Sequence, residues 1–248
     1  MITIKGLCHV YRIGTDITVG ADNINLAIPN GEIVALIGPS GAGKSTLLKC
    51  INRLLEPYSG NIFIGNDEIL RCSHRKAQAI RRRIGMVFQD FNLLKRSTVV
   101  RNVLLGRLGY VSTFRSLFGK YAYTKYDVNI SMECLRKVGI QDLADRRVET
   151  LSGGQQQRVG IARSLAQNPN VILADEPVSN IDPAKKKEIM DLLLDIHIKE
   201  HITTIISVHD VKLAKKYTDR IIGLKNGKIV FDGNPKGLTG KKVAEIFN

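Results

Sequence analysis

The chain has 248 residues, 44% of them hydrophobic and 24% charged, with a formal net charge of +14 and a mean hydropathy of −0.05. That length can bury a full core, as one large domain or as one with an inserted lobe. No stretch approaches the ~18–20 apolar residues that span a bilayer and no signal peptide is read at the N-terminus, so a cytosolic globular protein is expected. Cys8, Cys50, Cys72 and Cys134 are scattered without paired spacing, which reads as reduced, structural thiols. The positive charge suits nucleic acid, an anionic membrane surface or a phosphate-bearing ligand, and equally a lysine-rich solvated surface.

Residues 2–10 and 22–28 alternate apolar and polar side chains and are predicted strands. Tyr11 is placed just past the first of them, before a glycine-containing turn, where an aromatic ring can lie on a purine face. An apolar strand at 33–37 then runs into Gly38, Pro39, Ser40, Gly41, Ala42, Gly43, Lys44, Ser45 and Thr46, which fits G-x-x-x-x-G-K-[ST] without a mismatch. Glycines let the main chain wrap an anion, and the N–H groups of such a turn point at phosphate oxygens. Lys44 is suited to the β- and γ-phosphates and the Ser45 hydroxyl to Mg²⁺. A helix over 44–55 is predicted to stop at Pro57, followed by a short strand near 62–64.

Arg71, His74, Arg75, Lys76, Arg81, Arg82 and Arg83 have the spacing of one exposed helix, either a solvated face or a surface for protein or lipid. The apolar run 84–88 delivers Gln89 to a strand's carboxyl end, where a side chain faces a ligand in a parallel sheet; its amide can hold a water or a metal and sense phosphate. Helical patterns follow near 98–106 and 127–138. Between them, Gly106–Tyr126 holds Tyr110, Phe114, Phe118, Tyr121, Tyr123 and Tyr126, six of the fourteen Tyr and Phe. That enrichment reads as a local mini-core or as an apolar face for another protein.

Leu151-Ser152-Gly153-Gly154-Gln155 opens a further helix running to Ala166. Ser152 is a predicted N-cap, and the two glycines leave main-chain donors open, which makes a second phosphate-reading element. One chain needs only one such element per nucleotide, so the second is expected to serve a nucleotide held by another copy. The strand 171–174 ends in Asp175-Glu176-Pro177. Asp175 is suited to holding Mg²⁺ and Glu176 to polarising an attacking water. Asp182 and Pro183 precede a helix over 184–199; a buried strand 203–207 then leads to His209, placed to contact a γ-phosphate. The tail reads as a hairpin, 220–224 with 228–231, turning at Asn226-Gly227, with a short closing helix.

Taken in order, these elements resemble those of the ATP-binding-cassette ATPases: Walker A at Gly38–Ser45, Q-loop at Gln89, signature LSGGQ at Leu151–Gln155, Walker B at Val171–Glu176, D-loop around Asp182 and switch histidine His209. The resemblance covers essentially the whole chain. It implies an α/β P-loop NTPase: a RecA-like core with an antiparallel β-subdomain over 1–88 and 165–248, and an inserted α-helical subdomain over 89–164. It further implies a head-to-tail homodimer with ATP between Walker A of one copy and Ser152, Gly153, Gly154 and Gln155 of the other. In that arrangement Tyr11 stacks on adenine, Ser45, Gln89 and Asp175 organise Mg²⁺, and Lys44, Gln89, Glu176 and His209 serve hydrolysis.

Within the family the chain resembles the ATP-binding subunits of phosphonate importers, on Cys50–Leu54, Arg82–Gln89, Gly106-Arg107-Leu108-Gly109 leading to Ser112–Leu117, Leu151–Arg163 and Ile172–Val178. The subfamily implies permease partners in the membrane, a solute-binding protein outside it, and a peripheral position on the cytoplasmic face of the cell membrane; phosphite, phosphate or another oxyanion is the alternative cargo. Asn180-Ile181 departs from the small residue and leucine usual before the D-loop aspartate, a change that bears on contacts between copies. A nucleic-acid-associated ATPase would need a DNA-reading module or coiled-coil arms between the phosphate loop and the signature, and none is legible there, so no nucleic-acid partner is expected.

Overall fold

The computed structural model describes residues 1–14, 16–111 and 123–248. Two sheets organise it. The larger has six strands: β3 (Ile33–Ile37), β6 (Ile84–Val87), β7 (Val171–Asp175), β8 (Thr203–Ser207), β9 (Arg220–Lys225) and β10 (Lys228–Gly233), in the spatial order β10-β9-β3-β8-β7-β6. All neighbours are parallel except the terminal hairpin of β9 and β10. The smaller sheet is antiparallel, with order β2-β1-β4-β5, built from β1 (Ile2–Ile13), β2 (Asp16–Ile28), β4 (Ser59–Ile64) and β5 (Asp67–Glu68).

Strand periodicity divides the core in two. In β3, Ile33, Ala35 and Ile37 join one apolar cluster, while Val34 and Leu36 join the other. The same alternation sends Ile172 and Ala174 of β7 one way and Val171 and Leu173 the other, because successive side chains leave opposite faces of a strand. A parallel strand covered on both faces is continuously apolar, which is why these strands were legible as unbroken runs. On one face lie α3 (Val99–Leu104), α4 (Lys125–Lys137), α5 (Gly153–Leu165), α6 (Pro183–Glu200) and α7 (Val211–Tyr217); on the other lie α1 (Lys44–Ile51) and the antiparallel sheet. The closing helix α8 (Gly240–Phe247) places Ile246 in the first cluster.

Several predicted boundaries move. Tyr11, expected beyond the end of a strand, lies within β1 and pairs with Thr18 of β2. Helix α1 stops at Ile51 rather than near residue 55. Arg53 there takes a left-handed φ of 49° and donates from its guanidinium to the carbonyls of Ile69 and Cys72, a tertiary contact that overrides helical propensity. Helix α3 continues as a 3₁₀ turn, Leu105–Tyr110. In that turn Arg107 is buried, forms an ion pair with Asp127 at 3.0 Å and donates to the carbonyl of Ala166 at the end of α5. Its guanidinium lies 3.8 Å from the centre of the Tyr110 ring. The Gly-Arg-Leu-Gly segment is thereby a clamp joining α3, α4 and α5. Phe114, Phe118, Tyr121 and the segment Ser112–Leu117 lie outside the described residues.

The basic segment forms α2 (His74–Arg82), burying Ala77 and Ile80 and exposing most of its charge. All four cysteines are free thiols, and burial pushes Cys50 up to about 12 and Cys134 to about 11, which keeps them unreactive. Among the described residues no helix is long and apolar enough to cross a membrane.

Candidate active site

The loop from β3 into α1 is shaped by close approach. Gly43 has φ +104°, and a β-carbon there would stand 2.2 Å from the Gly20 carbonyl oxygen, so no side chain fits. The start of α1 has no side-chain cap, leaving first-turn N–H groups for an anion. Lys44 folds over this loop and donates from Nζ to the carbonyls of Gly38 (2.9 Å) and Pro39 (3.0 Å). Burial lowers its pKa, against the opposing pull of Glu176 and Asp175. A buried ammonium held by two carbonyls is under-compensated, and a polyphosphate supplies the missing charge.

The carboxyl ends of β7 and β8 bring the acidic groups to the same place. Asp175 is buried, and its Oδ1 accepts from Ser45 Oγ at 2.7 Å and from Ser207 Oγ at 2.9 Å. The Ser207 hydroxyl in turn accepts from the Glu176 N–H at 2.8 Å. Glu176 takes a left-handed φ of 46°, and its Oε1 lies 2.6 Å from His209 Nε2. Among the described residues no cluster of three or more His, Cys, Asp or Glu has metal-binding geometry. The Ser45–Asp175 oxygen pair instead suits Mg²⁺, which takes one or two protein oxygens and completes its shell with phosphate and water.

These groups enclose one cavity of about 340 Å³, lined by Tyr11, Ser40 to Thr46, Gln89, Glu176 and His209, with Thr18, Val19 and Gly20 completing the wall. The Tyr11 hydroxyl and Thr46 Oγ1 share a hydrogen bond of 2.9 Å, and the His9 and Tyr11 rings form a T-shaped pair with centres 4.7 Å apart. Ser152, Gly154 and Gln155 line a second recess of about 240 Å³, with Arg158, Lys185 and Glu188. The two recesses share no lining residue. Ser152 is the N-cap of α5, in a reciprocal capping box with Gln155, and Asp182 caps α6 by accepting from the Ala184 N–H at 2.9 Å. The cavity thus gathers Tyr11, Ser40 to Thr46, Gln89, Glu176 and His209, with Asp175 joined to it through Ser45, while Gly38, Pro39, the signature segment and Asp182 do not line it.

Sequence reasoning missed Ser207 and Gly20. Ser207 sits at the carboxyl end of a parallel strand, the same positional signal that singled out Gln89 and His209. Gly20 carries no local signal; its need is set by Tyr11 and Thr46 on other elements.

The family profile described as ABC transporter matches residues 21–179. The chain is 48% identical over 247 residues to "Phosphonates import ATP-binding protein PhnC 2" of Halalkalibacterium halodurans, covering 100% of this chain and 99% of the relative. It is 49% identical to "Phosphonates import ATP-binding protein PhnC" of Bacillus cereus, covering 100% of this chain and 94% of the relative. Among solved structures, it is similar to the dimeric post-hydrolysis state of the ATP-binding cassette MJ0796 bound to ADP and Pi, with TM-score 0.81 and 35% identity over 96% of this chain and 100% of the other. With a matching profile over most of its length and relatives near half identity over all of it, the chain belongs to the ABC transporter family.

Proposed function

We propose that this chain is the ATP-hydrolysing subunit of an importer that takes phosphonates across the cytoplasmic membrane, working as a homodimer against membrane permease subunits fed by a solute-binding protein. The observation that carries the reading is the division of the phosphate-reading groups: Lys44, Ser45, Gln89, Glu176 and His209 line one cavity, with Asp175 bonded to Ser45, while Ser152, Gly154 and Gln155 line another. A site of this kind is completed by the signature segment of a second copy. The names of the relatives support the phosphonate cargo, and the dimeric cassette with ADP and Pi supports both the dimer and the hydrolysis.

In this reading Tyr11 lies on the adenine, and Gly38 to Thr46 wrap the phosphates through main-chain N–H groups. Lys44 leaves its two carbonyls for the β- and γ-oxygens. Mg²⁺, when bound, neutralises charge developing between the β- and γ-phosphates. Ser45, Asp175 and Gln89 would hold it, and Ser207 keeps Asp175 oriented. Glu176 aligns a water in line with the γ-phosphate and receives its proton, while His209 donates to the γ-oxygens once its contact with Glu176 opens. The partner's signature segment meets the same oxygens, so cleavage removes what both copies grip. The lobes 1–88 with 165–248 and 89–164 move relative to one another as Gln89 engages and releases, with the permease on the membrane side.

The test is ATPase activity of the chain reconstituted with its permease and solute-binding protein. Stimulation by a phosphonate above that by phosphate or phosphite supports the cargo; equal or greater stimulation by phosphite or phosphate refutes it. Absence of magnesium-dependent ATP hydrolysis refutes the enzyme reading itself.

A further inference from the structure

Asn180 stands in the short loop that joins the Glu176 carboxylate to the start of α6. That loop is tightly braced. Ser179 donates to the Glu176 carbonyl through both its N–H (3.1 Å) and its hydroxyl (3.0 Å). Ile181 is buried in the core. Asn180 reaches away from this loop: its Nδ2 donates to the main-chain carbonyl of Gln89 at 3.2 Å and to Asp90 Oδ1 at 3.3 Å. Its own carbonyl packs against Gly153 at the start of α5, 3.3 Å from where a β-carbon would be.

The segment it grips is conformationally unusual. Phe91 and Asn92 take φ values of 58° and 48°, two consecutive non-glycine residues in the left-handed region. Such backbone persists only where its surroundings over-determine it. Arg163 of α5 supplies one restraint, donating to the carbonyls of Phe91 and Asn92. Main-chain bonds from Phe91 and Asn92 back to Phe88 and Asp90 add to it, and Asn180 supplies a further restraint on the Gln89 side. Gln89 is therefore tied through its main chain to the loop that carries Glu176, and through the following turn to α5, whose first residues are the signature.

We propose that Asn180 is a positioning residue for hydrolysis: its side-chain amide fixes the main chain of Gln89 to the Glu176 loop, so that the two side chains enter the cavity as one unit. The proposal rests on the nucleotide reading above and adds an intrachain role to a residue whose sequence context pointed to contacts between copies. Asp90 is the charged neighbour that faces the amide, so a carboxylate at position 180 both loses the donor and meets a like charge.

The experiment compares Asn180→Ala and Asn180→Asp with the parent, in the full chain, for ATPase kcat, magnesium-ATP Kd and thermal midpoint. A single hydrogen bond of this type predicts a loss of about 2- to 10-fold in kcat for Asn180→Ala, and at least as much for Asn180→Asp, with Kd changed by less than about two-fold. Both variants keep the parental midpoint. In a Gln89→Ala background, measured by single turnover, the same Asn180→Ala change has an effect of less than about two-fold, because the group it places is already gone. Parental kcat in Asn180→Asp overturns the proposal. So does a loss as large in the Gln89→Ala background as in the parent, since Asn180 would then act elsewhere. A parental chain that binds no ATP refutes the nucleotide reading and this proposal with it, and its Kd is read separately from every variant.

Discussion

Replacing Tyr11 by alanine removes the ring that walls one side of the 340 Å³ cavity and leaves the phosphate loop intact. Base stacking on an aromatic side chain contributes about 1–3 kcal/mol, which at 1.4 kcal/mol per decade weakens ATP binding roughly 5- to 150-fold. Tyr11→Phe keeps the ring and loses only the hydrogen bond with Thr46 Oγ1, a contact of about 1 kcal/mol, so Kd rises by no more than about five-fold. Gly20→Ala reaches the same ring from behind: its β-carbon would stand 2.8 Å from Tyr11 Cε2 and 2.9 Å from Thr46 Cγ2, forcing the ring aside. Its loss of ATP affinity lies between those of the other two variants. Calorimetric titration with ATP and with inorganic tripolyphosphate separates the base from the phosphates, because tripolyphosphate has no ring to stack. Tyr11→Ala and Tyr11→Phe bind tripolyphosphate like the parent, whereas Gly20→Ala also presses on Thr46 and weakens both ligands. If Tyr11→Ala keeps parental ATP affinity, or loses tripolyphosphate as severely as ATP, the purine assignment is wrong.

Glu176→Gln removes the water-polarising carboxylate while keeping its shape; turnover falls by about 10²–10⁴-fold, and ATP holds the chain as a dimer by light scattering. A variant that hydrolyses at the parental rate sinks the water assignment. Ser207→Ala strips a donor from Asp175 and an acceptor from the Glu176 N–H, at a cost of about 1–3 kcal/mol in stability. The magnesium concentration for half-maximal activity rises with it, and an unchanged magnesium dependence contradicts the orienting role. Asp127→Asn leaves Arg107 buried without its counter-charge, which costs about 3 kcal/mol by analogy with other broken buried pairs and is read from denaturant unfolding. Burial pushes the Asp127 carboxyl up, but the Thr124 amide and hydroxyl and the Arg107 guanidinium outweigh it and hold the carboxyl below the usual range. Its contribution is therefore fully present above the unfolded carboxylate pKa of about 3.9. The gap between parent and variant stays constant at neutral pH and closes only as pH falls below about 4; a gap that instead closes between pH 6 and 8 contradicts the assignment.

The elements that were legible in the sequence are those whose signal is local. The phosphate loop announces itself through glycines at the positions with positive φ, Gly38, Gly41 and Gly43, and Ser152 marks the start of its own helix as an N-cap. Asn226-Gly227 likewise specifies its own turn, with φ values of 50° and 77°, the double positive φ of a tight hairpin. Even Gln89 and His209 follow from one rule, that residues just beyond parallel strands face the ligand.

Tertiary structure decided everything that depends on residues far apart in the chain. Nothing within β3 states that it lies between β9 and β8, since strand order is fixed by which apolar faces can be covered together. Helix α1 ends where Arg53 finds carbonyls of Ile69 and Cys72, and Tyr11 belongs to a strand because Thr18 pairs with it. Ser207 becomes part of the site only when β8 sets it beside β7, and Asn180 only when Gln89 is brought to it from 91 residues away. The chain by itself determined which chemistry was available, through residue types at short fixed spacings. The fold determined which of those groups share a cavity, because only packing sets distances between side chains that the covalent chain leaves free.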